Sequence, residues 1–258
     1  MGGALIEGAL RANIVSPADV WVHSRSAESA LALAEKLGVT VADNNSHVIN
    51  SCDLVLLGCK PYQVIDVLTE IGAALPGDAV ILSVAAGITL AKMEAACPAG
   101  TRIIRAMPNT PSLIGLGATG IAAGSHATDK DLAAARTMLE SVGIVSETTE
   151  AQLDAVTGLS GSGPAYVYTF LEALASQAEK EGLPATEALK LATQTVIGAA
   201  RMVEQTGMTP RELVNQVTSP GGTTVVGLAA MTEHGFEAST AAGVHAATER
   251  SREIARES

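Results

Sequence analysis

Between Val20 and Ser146 the chain alternates short β-rich apolar runs with stretches of helical period, and no other feature narrows its possible folds as much. The runs are VWVH (20–23), LGVTV ending at Val41, DLVLLG from Asp53, AVILSVAA from Ala79, RIIRAM from Arg102, ATGIAA from Ala118 and GIVSE from Gly143. The central ones are apolar without interruption, as in parallel strands covered on both faces. Residues 27–37, 62–75 and 129–142 instead space their apolar side chains three and four apart, which puts them on one face of a helix. This alternation predicts an α/β, Rossmann-type doubly wound sheet over residues 1–149.

After Glu150 the strand-like runs stop. Helical patterns cover 151–157, 163–181, 185–205, 209–216, 223–234 and 236–256, so residues 150–258 are expected to form an all-helical domain. The breaks carry turn chemistry: Gly182 before Pro184, Gly207 before Pro210, and Pro220-Gly221-Gly222. A length of 258 residues accommodates two such domains. Hydrophobic residues make up 47% and aromatics only 2%, so the core must be built from Ala, Val, Leu, Ile and Gly.

Several function classes are disfavoured. A net charge of -11 with no cluster of Lys and Arg offers no basic face for nucleic acid. No apolar run approaches the roughly 20 residues of a membrane span, and no basic-then-apolar leader opens the chain, so the expected compartment is the cytoplasm. Cys52, Cys59 and Cys97 show no C-x-x-C spacing and read as core thiols. His23, His47, His126, His234 and His245 form neither a metal-binding pattern nor a hydrolytic triad. What remains is chemistry supplied by a cofactor, with the protein orienting it.

In an open parallel sheet a ligand binds beyond the carboxyl ends of the strands. At the end of VWVH stand Ser24 and Arg25, where an NAD site usually carries an acidic residue; a hydroxyl and a guanidinium suit a 2′-phosphate, although a helix cap and a solvated charge explain them equally well. Cys59-Lys60-Pro61 and Ala85-Ala86-Gly87 follow two further runs, and the polar, rigid loop Met107-Pro108-Asn109-Thr110-Pro111 could shape one wall of a pocket. In the helical half, Ser160-Gly161-Ser162-Gly163-Pro164 and Ser219-Pro220-Gly221-Gly222-Thr223-Thr224 each precede a helix. Both suit ordinary capping, and both could offer free N–H groups to a small carboxylate.

The segments VTGLSGSGPAY (156–166) and LVNQVTSPGGTTVVGLAAM (213–231), with CKP at Cys59, AAGIT at Ala85 and RAMPNTP at Arg105, resemble the signature segments of pyrroline-5-carboxylate reductases, in the family's order and across nearly the whole chain. The resemblance implies a Rossmann-type domain followed by a helical domain that interlocks with a second subunit, giving a homodimer or higher oligomer. It also implies hydride transfer from NADPH or NADH to the C5=N carbon of 1-pyrroline-5-carboxylate, producing L-proline. By motif, Thr224 is the hydroxyl expected at the imine nitrogen, and Ser219, Gly221, Gly222, Thr223 and Thr224 would hold the substrate carboxylate. For the cofactor the resemblance implies Gly2 at the pyrophosphate, Ser24 and Arg25 near the adenosine 2′ position and Asn45 by the adenine ribose. Cys59, Lys60 and Pro61 would run along the nicotinamide ribose, Ala86 and Gly87 would line the nicotinamide, and Gln216 would lie near the cofactor.

Family members open with a strand and a G-x-G-x-M-G turn, whereas this sequence starts Met1-Gly2-Gly3, resembling only the end of that turn. The missing strand would be central, so two ladders are expected to lose a partner and expose an apolar slot. Two alternatives follow: Met1 is internal to a longer protein, or the short form is a cofactor-poor or non-catalytic variant. Another NADP-dependent imine or hydroxy-acid reductase is the rival enzyme reading. Such enzymes rely on a catalytic lysine in the helical domain, and the lysines there are Lys180 and Lys190, on stretches that look solvent-facing.

Overall fold

The computed structural model describes residues 1–72 and 74–257; Ala73, inside the expected helix 62–75, and Ser258, at the end of the expected helical domain, lie outside the described residues. All seven apolar runs form strands: β1 (Trp21–Val22), β2 (Thr40–Val41), β3 (Leu54–Leu57), β4 (Val80–Ser83), β5 (Arg102–Met107), β6 (Gly117–Ala123) and β7 (Gly143–Glu147). Helices α1 (Gly2–Arg11), α2 (Ala27–Leu37), α3 (Asn45–Ile49), α4 (Val64–Gly72), α5 (Leu90–Ala95), α6 (Asp129–Glu140) and the short α7 (Leu153–Val156) join or flank them. The later part is helical, with α8 (Gly163–Lys180), α9 (Ala185–Thr206), α10 (Pro210–Val217), α11 (Thr223–Glu233) and α12 (Phe236–Glu257).

The strands form two sheets. β1 pairs with β2 in parallel, and a separate five-stranded sheet has the order β3-β4-β5-β6-β7. Among the described residues no strand pairs with the outer edge of β1 or of β3. Supported on one side only, β1 is a two-residue strand where four residues were expected. One pairing departs from the parallel pattern: β6 runs antiparallel to β5, with Ile104 opposite Ala123 and Ala106 opposite Ile121.

Both faces of the larger sheet are covered, so adjacent residues of one strand enter opposite cores. Ile81 and Ile103 pack with Val64, Leu68, Ile71, Met93 and Leu153, while Leu82 and Ile104 pack on the other face with Leu5, Ala135, Leu139 and Val142. Each such side chain contributes about 1.5–3 kcal/mol. That is why the runs are continuously apolar.

The chain separates into two compact units: Met1–Ser162 together with the segment from His245, and Gly163–Val244. The sequence placed the division at 149/150. Residues just beyond that point stay with the sheet because Leu153 is fully buried in its core, and the Ser251 hydroxyl of α12 donates to Asp154 at 2.7 Å. Within the helical unit, α8, α10 and α11 bury no residue, and α9 buries only Ala188 and Ala192. No helix among the described residues is long and apolar enough to cross a membrane.

A buried capping box fixes α6. Asp131, 4% exposed, accepts from the Thr128 N–H and hydroxyl, both at 2.8 Å, and pairs with Arg102 at 3.0 Å. Burial alone would raise its pKa, but the Thr128 bonds and the Arg102 charge outweigh that and hold it below the ordinary 3.8. A carboxyl depressed in the folded state stabilises the fold above its ordinary value, and that stability is lost as pH falls through the native value. Asp131→Asn is therefore expected to cost about 1–3 kcal/mol in urea unfolding at neutral pH and to flatten the acid limb of the stability profile; an unchanged acid limb would remove Asp131 from this role.

Candidate functional site

Because β3, β4 and β5 run parallel, their carboxyl ends lie along one edge of the sheet. Gly58-Cys59-Lys60-Pro61 leaves β3 there, Val84-Ala85-Ala86-Gly87 leaves β4, and Pro108-Asn109 leaves β5. The start of α1 comes to the same edge: a Cβ on Gly58 would lie 3.2 Å from the Gly2 Cα. Helix α1 has no side-chain cap and no acidic residue in its first turn. Its first intrahelical donors are Ala4 and Leu5, so the Gly2 and Gly3 N–H groups have no partner among the described residues. Such a terminus carries partial positive charge and attracts an anion.

The expected cofactor residues group on this edge to different degrees. Ala86 is exposed and Gly87 is buried with φ +79, a left-handed conformation that glycine adopts without strain. Cys59 is half-buried, and burial pushes its thiol pKa up, against a smaller opposing bond from its own backbone. It therefore stays a neutral thiol, unsuited to nucleophilic work. The Lys60 N–H donates to the Gln63 side chain at 3.2 Å, and Pro61 opens a 3₁₀ turn.

Around β1, Ser24 is half-buried, while Arg25 is exposed and makes no ion pair among the described residues. Asn45 is committed at both ends of its amide: its Nδ2 donates to the Glu70 carboxylate at 3.1 and 3.2 Å, and its Oδ1 lies 2.8 Å from His23 Nδ1. Since the amide NH₂ faces a carboxylate, its oxygen faces His23, whose Nδ1 must carry the proton. Neither His23 nor Glu70 stood out in the sequence.

The Met107–Pro111 loop acts as a brace. Asn109 accepts from the Ala118 N–H at 2.9 Å and donates to the Ser160 carbonyl at 3.0 Å, which ties β5 to β6 and to a π-helical turn over Thr157–Gly161. A Cβ on Gly161 would meet the Met107 methyl at 2.9 Å. The SGSGP stretch thus spans the end of a packed π turn, at Ser160 and Gly161, and the start of α8, at Gly163 and Pro164.

In the helical unit, Ser219 to Gly222 form a tight turn closed by the Gly222 N–H to the Ser219 carbonyl at 2.9 Å, with Gly221 at φ +73. A Cβ on Gly222 would come within 2.6 Å of the Ser219 hydroxyl and 3.0 Å of the Ser219 carbonyl oxygen, so a side chain there would displace the hydroxyl and crowd the turn. Helix α11 starts from this turn with neither a side-chain cap nor an acidic residue. The Thr223 and Thr224 hydroxyls, exposed, have no partner among the described residues, and the first intrahelical donor here is Val226. Gln216, on α10, rests its amide against the Met208 sulfur at 3.3 Å. Lys190 is exposed beside Glu187 at 3.6 Å, and Lys180 is exposed at the end of α8. Among the described residues no group of His, Cys, Asp and Glu is placed to hold a metal.

One buried group went unnoticed in the sequence. Arg105, 3% exposed, donates to Glu150 Oε1 at 2.6 Å, and the same oxygen accepts from the Leu90 N–H at 3.1 Å. An arginine inside the apolar run RIIRAM was the available signal, since a buried charge requires a partner.

Comparison with known proteins finds relatives along nearly the whole chain. Residues 150–254 match the family model for pyrroline-5-carboxylate reductase dimerisation, and residues 1–87 match that for NADP oxidoreductase, coenzyme F420-dependent. The chain is 40% identical to the pyrroline-5-carboxylate reductase of Methanosarcina acetivorans over 98% of its length and 94% of the relative's. It is 35% identical to that of Escherichia coli over 99% and 95%. The solved structure of the Coxiella burnetii reductase superposes with a TM-score of 0.91 at 34% identity, covering 97% of this chain and 93% of that one. That of Plasmodium falciparum with NADP bound gives 0.88 at 29%, covering 99% and 94%.

The approach of α1 to β3 is directly testable. Gly58→Ala places a methyl 3.2 Å from the Gly2 Cα and requires the helix to yield by a few tenths of an ångström. The expected loss is about 1 kcal/mol in chemical unfolding; an unchanged midpoint would mean the two backbones are not in close contact.

Proposed function

This chain belongs to the pyrroline-5-carboxylate reductase family, and from that premise we propose which of its residues carry the family's reaction. The reaction is reduction of 1-pyrroline-5-carboxylate to L-proline, the last step of proline biosynthesis, at the expense of NADPH or NADH. When bound, the nicotinamide supplies the hydride that adds to C5. The protein binds, orients and hydrogen-bonds the reactants.

The residues on the sheet edge fit such a dinucleotide. The unpartnered N–H groups of Gly2 and Gly3 take the pyrophosphate, and Arg25, free of any ion pair among the described residues, takes the 2′-phosphate with Ser24. Asn45, oriented by His23 and Glu70, lies by the adenine ribose. Cys59, Lys60 and Pro61 border the nicotinamide ribose, Ala86 and Gly87 the nicotinamide, and Gln216 stands near the cofactor. On this reading residues 1–149 bind NADP, and 150–258 bind substrate and dimerise.

The substrate carboxylate is held by the Ser219, Gly221, Gly222, Thr223 and Thr224 turn. Its small side chains expose backbone donors at the positive end of α11. Thr224 Oγ1 hydrogen-bonds the substrate nitrogen: it donates to the neutral imine, which makes C5 a better hydride acceptor, and it accepts from the N–H of the iminium. No strong acid is needed, because the iminium form can be bound ready made and the proton it already carries stays on the nitrogen of L-proline. The observation that carries this reading is an uncapped helix start with two unpartnered threonine hydroxyls, in a chain related to these reductases from end to end.

Self-association is supported by the dimerisation match and by apolar side chains left at the surface of the helical unit, such as Val226, 66% exposed, and Leu191, 54% exposed. We place the enzyme in the cytoplasm as a homodimer or higher oligomer. The net charge of -11 supports the view that neither nucleic acid nor a membrane is a partner.

The assay is NADPH oxidation dependent on 1-pyrroline-5-carboxylate. Thr224→Ala is expected to lower kcat about 10²-fold while leaving NADPH affinity, measured by calorimetry, as it was. Unchanged kcat would remove Thr224 from the imine, and equal loss of NADPH binding would mean that the turn serves the cofactor.

A further inference from the structure

We propose that Glu150, anchored by Arg105, is a positioning residue that sets the loop between β4 and α5; the proposal rests on the reading of Ala86 and Gly87 as lining the nicotinamide. That loop is held at both ends by polar side chains, one of them fully buried and the other, Glu150, one-third exposed. At its start the Ala85 N–H donates to the Ser83 hydroxyl at 3.4 Å, and Ser83 is fully buried. At its end the Leu90 N–H, the first of α5, donates to Glu150 Oε1 at 3.1 Å. Arg105 stands between the two grips, opposite Ser83 in the β4–β5 register, and its Nη1 lies 2.6 Å from the same Glu150 oxygen.

The pair is poorly arranged to serve stability alone. Arg105 Nη2 and Glu150 Oε2 are both buried without a hydrogen-bond partner among the described residues. A buried ion pair with unmet capacity gains little over apolar residues of the same volume. Apolar residues would not, however, supply an acceptor for the Leu90 N–H at a defined point. The loop needs a defined end because Gly87 inside it is buried in the left-handed conformation at φ +79. Movement of Leu90 would carry Gly87 and Ala86 with it, away from or into the nicotinamide. The Arg105 guanidinium fixes the carboxylate, the carboxylate fixes the helix start, and the helix start fixes the loop.

Removing Glu150 alone would strand a buried charge and threaten folding, so the comparison is made without that charge. In the Arg105→Met background, Glu150→Gln keeps an acceptor for Leu90, whereas Glu150→Ala removes it. Both double variants are checked by thermal unfolding and then titrated with NADPH and with 2′-phospho-ADP-ribose, which lacks the nicotinamide. The R105M/E150A protein is expected to bind NADPH about fivefold more weakly than R105M/E150Q, with equal affinity for the fragment. Gly87→Val, which fills the loop itself, is titrated alongside. If the double variants bind NADPH equally while G87V weakens it, Glu150 has no positioning role and the cofactor reading stands. If all three leave NADPH binding unchanged, the reading of the loop falls too. Equal weakening of NADPH and fragment in R105M/E150A would show a general structural loss and overturn the proposal.

Discussion

The parallel register of β3, β4 and β5 is the constraint on which the sheet unit depends. It requires each strand to be covered on both faces, and Ile81 with Leu82, and Ile103 with Ile104, meet that requirement by entering opposite cores. It also brings three strand exits to one edge, where Gly58 and Ala86 are exposed and Asn109 is buried as a brace. Ligand-binding positions arise there because the ladder ends there. With little aromatic bulk available, close approaches such as Gly58 to Gly2 are made by residues that lack a side chain.

Two arginines on β5 show how charge is managed inside this apolar frame. Arg102 and Arg105 each reach a carboxylate on another element, Asp131 of the α6 cap and Glu150 beyond β7. Both pairs connect segments distant in sequence, so they fix where helices and loops begin. The helical unit is organised differently. Its helices bury almost nothing on their own and leave Val, Leu and Ile side chains exposed, which fits a unit completed by self-association.

The strand runs and most helices were legible in the sequence, because burial on two faces leaves an unbroken apolar pattern and burial on one face leaves a helical period. The antiparallel β6 was not, since a buried strand reads the same in either direction. Helices α3 and α5, of five and six residues, are too short to establish a period. For the candidate site, the glycine turn at 219–224 was visible because φ +73 at Gly221 and the crowding at Gly222 both favour glycine. The bonds of Asn45 to His23 and Glu70 were hidden, as was the link from Glu150 to Leu90, because they join residues far apart in the chain through tertiary contact alone. The boundary at Ser162 was hidden for a similar reason. Composition turns helical at Glu150, but Leu153 packs into the sheet core.

The central claim is that this chain moves a hydride from a nicotinamide to C5 of 1-pyrroline-5-carboxylate. Its most direct test is to incubate the purified protein with that substrate and NADPH deuterated at the transferring C4 position, and to analyse the product by mass spectrometry. The account predicts L-proline carrying one deuterium at C5. Unlabelled proline, or cofactor and substrate both left unconsumed, would contradict it.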